Sequence, residues 1–156
     1  MKLPLTFVCI ILLFVACKKD DDSGISPTPN NTCGVDGMRM QAMVGSESFC
    51  ANTSLFADLA VGLTSNGIAN NGLTLTLELD SLTVGQYSTT TDINHVLYTD
   101  ALGLAWQSVD TLPGQLNIAF HDTAANRIRG QITGQVCTPF GGHRTINASF
   151  DLTYTE

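Results

Sequence analysis

The chain has 156 residues and a formal net charge of −7, from 7 Lys plus Arg against 14 Asp plus Glu. That balance excludes a nucleic-acid binder, which needs clustered cations to neutralise phosphates, and it gives no attraction to anionic lipid. Once a leader is set aside, the length suits one domain with a real core.

Lys2 precedes an apolar run over residues 3–15, broken by Pro4 and Thr6. As a helix this run spans about 20 Å against a hydrocarbon core of about 30 Å. It fits a signal-peptide h-region and not a membrane span. The segment Leu13-Phe14-Val15-Ala16-Cys17 resembles a bacterial lipobox, with Phe14 where Leu is usual. The resemblance implies cleavage before Cys17 and a diacylglycerol on its thiol, so that a lipid anchor on Cys17 is the link to the membrane. Residues 1–16 are then a lipoprotein signal peptide. An ordinary secretory signal cut elsewhere is the alternative.

Asp20, Asp21 and Asp22 follow at once. An acidic tract in this position resembles the signal by which some Gram-negative bacteria place lipoproteins on the outer face of the outer membrane. The plainer reading is a solvated linker on a protein that stays on the periplasmic face. Residues 18–32, KKDDDSGISPTPNNT, are charged and then rich in Ser, Pro, Asn and Gly. They cannot bury enough apolar surface to offset the entropy of ordering. The expected organisation is a lipidated cysteine and flexible linker over residues 17–34, then a domain over residues 35–156.

The domain reads as β throughout. Residues 37–52, GMRMQAMVGSESFCAN, give a hairpin: Met38, Met40, Ala42 and Val44 point in, Gly45-Ser46 turns, and Phe49 and Ala51 return on the same face. Residues 55–75 give a strand, then two turn signals at Asn66-Gly67 and Asn71-Gly72. LTLTLELD, residues 73–80, alternates strictly, with Leu73, Leu75, Leu77 and Leu79 facing the core. In residues 114–136, Leu116, Ile118 and Phe120 point in, residues 122–126 turn, and Ile128, Ile132 and Val136 point in again. Gly130 and Gly134 share that inner face, which signals a bulge or close packing. The last strand turns Ile146, Ala148, Phe150, Leu152 and Tyr154 to one side. No window of helical length has a 3.6-residue period. Short strands and frequent turns predict an all-β domain, a single antiparallel β-sandwich or small β-barrel.

VGQY at residues 84–87, the 114–136 hairpin and the terminal INASFDLTY together resemble a family of bacterial β-rich lipoproteins. The resemblance spans residues 38–154. It implies the fold and the membrane address, and it carries no catalytic residues.

Three cysteines remain in the domain region: Cys33, Cys50 and Cys137. An oxidising compartment favours one disulfide and one leftover thiol. Cys50 and Cys137 each follow an inward residue, Phe49 and Val136, so both face outward. That parity predicts a Cys50–Cys137 bridge, with Cys33 at the spacer's edge as the odd one out. The absence of CxxC and of finger spacing argues against structural zinc.

Chemistry-bearing motifs are few. His121 and His143 sit in predicted loops, where Asp122 or Asp92 would be needed to complete a metal site, but no HExxH or paired-histidine spacing supports one. Asp92-Ile93-Asn94 resembles only the first residues of a calcium loop. There is no GxSxG and no GxxxxGK. No catalytic residue, cofactor or metal is assigned.

The domain's cations are four arginines and no lysine, against eleven Asp plus Glu. Arg127 and Arg129 share an outward face, and Arg144 joins them if its hairpin lies beside theirs. Such a set could bind a carboxylate or sulfated group. The plainer role is charge balance against Asp122 or Asp151 and protection of a strand edge. Tyr98 and Trp106, if exposed, would stack on a sugar ring; otherwise they are core. Three readings follow: a tethered non-enzymatic binding or structural module with a glycan or protein ligand, a small barrel carrying an apolar ligand, and a hydrolase.

The lipobox reading has a direct check. Labelled palmitate should enter the parent chain, and Cys17→Ser should abolish both the label and processing. Label retained in the variant sinks the assignment.

Overall fold

The computed structural model describes residues 33–156, all of them in strands, turns and loops. Cys17 and the acidic tract lie outside the described residues. Among the described residues no helix is long and apolar enough to cross a membrane.

The strands in chain order are β1 (Gly34–Val35), β2 (Met38–Val44), β3 (Glu47–Cys50), β4 (Ser54–Leu59), β5 (Leu63–Ile68) and β6 (Thr74–Leu79). There follow β7 (Gly85–Thr89), β8 (His95–Thr99), β9 (Ala105–Gln107), β10 (Gly114–Asp122), β11 (Arg127–Cys137) and β12 (His143–Thr153). β11 and β12 form the central ladder, in register from Arg127↔Thr153 to Cys137↔His143. β2 pairs the far side of β12, from Ile146↔Val44 to Leu152↔Met38. β10 pairs the other edge of β11, and β7 pairs β10. β4, β5, β6, β8 and β9 make a second antiparallel run.

Two small seams join these runs. Gln107↔Cys137 links β9 to the end of β11. At the opposite corner the Leu59 amide donates to the Thr155 carbonyl at 2.8 Å, and the Thr155 amide donates to the Ala57 carbonyl at 3.1 Å. The expected sandwich or small barrel is thus one curled antiparallel sheet, a half-barrel.

Alternation decides what lies inside. Leu73, Leu75, Leu77, Leu116, Ile118, Ile128, Ile132, Val136 and Leu152 are fully buried, as the period-2 pattern requires. Met38, at the strand start, stays 38% exposed. Gly130 marks a close approach of three strands: a Cβ there would stand 2.7 Å from the Asn117 carbonyl oxygen and 2.5 Å from the Phe150 ring. Only glycine lets β10, β11 and β12 approach so closely.

Two local expectations are corrected. Asn66-Gly67 is not a turn but the middle of β5, paired with Thr76 and Leu75. Gly67 serves packing: a Cβ would lie 2.8 Å from the Ala51 methyl and 3.0 Å from the Met40 sulfur. Phe120 does not point in. A bulge between Ile118 and Phe120 leaves Ala119 unpaired and sets Phe120 opposite Arg129. His121 consequently takes the inward position and shares a 2.9 Å hydrogen bond with the Tyr154 hydroxyl.

The disulfide is Cys33–Cys50, with Cα atoms 5.2 Å apart, and Cys137 is the free thiol. The expected Cys50–Cys137 pairing fails because outward parity does not choose a partner; adjacency does. β1 and β3 lie end to end along one edge of β2, through Gly34↔Arg39 and Gln41↔Cys50. Cys33 therefore arrives beside Cys50. Cys137 lies on another part of the sheet, between Gln107 and His143.

Non-reducing peptide mapping should join the Cys33 and Cys50 peptides, and alkylation should label Cys137. In the chain-entropy model a loop of this length contributes about 3 kcal/mol. A Cys33→Ala, Cys50→Ala double variant should therefore melt on the order of 10 °C lower.

Candidate functional site

The outward residues of the central strands line up across the sheet. One row runs Gln41, Ser149, Gln131 and Asn117 over β2, β12, β11 and β10, and continues to Gln86 on β7. The next row runs Arg39, Asp151, Arg129 and Phe120 over the same four strands. Gln86 apart, these residues line a depression of about 490 Å3, walled at one end by Asp36 in the β1–β2 turn. Small-molecule sites occupy about 300–1,000 Å3. Three of the domain's four arginines, Arg39, Arg127 and Arg129, lie here.

Each arginine is held differently. Arg127 donates from Nε and Nη2 to the two oxygens of Asp151, at 2.7 and 2.6 Å. Burial raises the Asp151 pKa, but the Arg127 hydrogen bonds, the Gly37 amide and the charges of Arg127 and Arg129 outweigh it, and the net shift is downward. Arg39 donates from Nη2 to Asp36 at 3.2 Å, while its buried Nε has no hydrogen-bond partner among the described residues. Arg129 is exposed and lies over the Phe120 ring, 4.3 Å from the centroid. Among the described residues it forms no ion pair. The groove thus presents one uncommitted guanidinium beside neutral amides and a hydroxyl.

Arg144 does not join Arg127 and Arg129. It donates to Glu47 at 3.1 Å, stands 3.9 Å from Asp100 and covers the Trp106 ring at 4.0 Å. Trp106 and Tyr98 are core residues, 7% and 0% exposed, so neither offers a face to a sugar. The Trp106 indole N–H donates to Asp100 at 3.1 Å, and the Leu102 and Leu104 amides donate to its other oxygen. Burial raises the Asp100 pKa, but the Trp106, Leu104 and Leu102 hydrogen bonds and Arg144 overcome it and hold it low. Burial, then Glu47, raise the Tyr98 pKa, and among the described residues its hydroxyl has no partner in hydrogen-bond geometry. This cluster clasps β3, β8, β9 and β12 together.

The remaining polar groups serve the fold. Asn94, buried at a positive φ of 51°, accepts the Asp80 and Ser81 amides and donates to the Ser88 carbonyl. It is a loop tie and not a calcium ligand set. His121 is committed to Tyr154, and among the described residues no three His, Cys, Asp or Glu converge on a metal position. Ser108 and His95 approach to 3.2 Å, the distance of a nucleophile and its base. Ser108 is 1% exposed, however, and its hydroxyl donates to the Thr90 carbonyl at 2.6 Å. No substrate can reach it.

Arg39, Gln41, Asn117, Gln131 and Ser149 were not singled out by the sequence. Their signal is that each occupies an outward strand position; what joins them is register, which the sequence does not state.

The two depressed carboxyls predict an acid-side loss of stability. A carboxyl whose folded pKa is lowered stabilises the fold above its unfolded value, about 3.9, and that contribution vanishes as pH falls through the folded value. Asp100→Asn should melt below the parent at neutral pH, with the gap closing as pH drops below about 4. A gap that is constant with pH would contradict the assignment.

No protein-family model, no curated protein and no solved structure matches this chain.

Proposed function

We propose that this chain is a lipid-tethered binding module of the outer membrane, displayed at the cell surface, whose working face is the groove across β2, β12, β11 and β10. The observation that carries the reading is the gathering of three arginines from a lysine-free, acidic domain into one polar depression. Arg39 and Arg127 balance Asp36 and Asp151 there, and Arg129 is the cation in excess. The address rests on the lipobox at Cys17, the acidic residues Asp20, Asp21 and Asp22, and the resemblance to β-rich lipoproteins.

The alternatives fit less well. An apolar carrier needs an enclosed space, whereas Leu63, Leu75, Leu77, Ile118, Ile132 and Tyr98 occupy the interior and are fully buried. A hydrolase needs a reachable nucleophile or paired carboxylates, and the groove's acids, Asp36 and Asp151, are ion-paired to arginines.

The full-length chain, purified in detergent, should retain at least one member of a panel of immobilised glycans, peptides and small anions. Gln41→Ala with Gln131→Ala should lose that ligand, and Glu78→Gln, on the exposed side of β6, should keep it. Equal retention by both variants would move the working face elsewhere.

A further inference from the structure

The groove's chemistry narrows the class of ligand. Its floor is sheet whose backbone N–H and C=O groups are already committed to ladders on both sides of β11 and β12. A peptide adding as a strand would find no free edge on β11 or β12. Recognition has to come from side chains. Gln41, Gln131 and Asn117 each offer donors and an acceptor, and Ser149 offers both in one hydroxyl. That is the complement of a surface carrying many hydroxyls, each of which also donates and accepts.

The spacing agrees. Neighbouring strands lie about 4.8 Å apart, so the row presents one polar side chain per strand across roughly 14 Å. Successive rings of an extended polysaccharide repeat at a similar interval. A glycan lying across the strands would meet one reader per ring.

Charge supplies the second element. Arg127 is bound by Asp151; Arg129, whose charge also acts on Asp151, forms no ion pair among the described residues, and the buried Nε of Arg39 has no acceptor among them. Phe120, turned outward by the bulge, lies under the Arg129 guanidinium, whose Cζ is 4.3 Å from the ring centroid. A guanidinium anchored in this way keeps N–H groups for a ligand, and a guanidinium can meet a carboxylate in two parallel hydrogen bonds. A single available cation in a domain otherwise acidic suits a ligand with isolated carboxylates and would not hold a densely sulfated chain.

We infer that the groove binds a short stretch of uronate-containing polysaccharide, with one carboxylate on Arg129, backed by Arg39, and ring hydroxyls on the row from Gln41 to Asn117. This rests on the binding-module reading above and names its ligand class.

Titration calorimetry on the full-length chain in detergent tests it, with trisaccharides that each carry a single galacturonate, mannuronate or glucuronate ring as probes, each also as its methyl ester. At least one acid trimer should bind, and its ester should bind ten- to a hundredfold more weakly. Arg129→Gln should bring the acid down to the level of the ester while melting only a few degrees below the parent, since it loses the contact with the Phe120 ring but no ion pair. Gln131→Ala should weaken acid and ester alike. Failure of all three acids to bind overturns the inference, as does an acid whose affinity is indifferent to Arg129→Gln. If esters bind as well as acids and depend on Gln131, the carboxylate assignment fails while the binding face stands. If no trimer binds, the glycan, peptide and anion panel decides separately whether the face binds at all.

Discussion

The β11–β12 ladder is the constraint on which the remainder depends. Eleven residue pairs in unbroken register carry Ile128, Ile132 and Val136 to the same side as Ile146, Ala148, Phe150 and Leu152. A slip of one residue in either strand would turn that strand's whole set to solvent. The same register sets Gln131 beside Ser149 and Arg129 beside Asp151. Core and groove are therefore two faces of one pairing, and a change that shifted the ladder would dissolve both. Gly130 makes the pairing compatible with curvature, because the space its side chain would need is filled by Phe150 and the Asn117 carbonyl.

The arginines divide between holding the fold and facing solvent. Arg144 sits in a half-buried clasp with Glu47, Asp100 and Trp106, where two strand runs meet. Burial of charge is costly, and it is tolerated here because Asp100 accepts three hydrogen bonds besides its neighbouring cation. Arg127 and Asp151 face each other in a two-pronged pair on the sheet surface. That pair does not contribute the groove's free charge; it places a neutralised floor beneath it. Arg129 is left as the exposed cation because its nearest carboxylate, Asp151, already accepts from Arg127 with both oxygens.

The bulge at Ala119 shows how one extra residue redirects a surface. Without it, strict alternation would send Phe120 into the core. With it, the ring comes out against Arg129, and His121 turns in to Tyr154. The disulfide works at the other boundary. By joining Cys33 to Cys50 it ties the first described residue to the β2–β3 hairpin, and so holds the β1–β2 turn whose Asp36 walls the groove.

Composition and period-2 patterning were enough to establish an all-β domain, its inward residues on β6, β11 and β12, and the hairpin turns at Gly45-Ser46 and Asn71-Gly72. Those features are local: alternation, turn chemistry and hydrophobicity act over a few residues and leave a trace in order along the chain. The partner of Cys50, the course of the chain through Asn66-Gly67, the exposure of Phe120 and the separation of Arg144 from Arg127 were decided by tertiary structure. Each depends on which strand lies beside which, and at what offset. Parity along a strand states which face a residue takes, but only the closure of the sheet states what stands next to it.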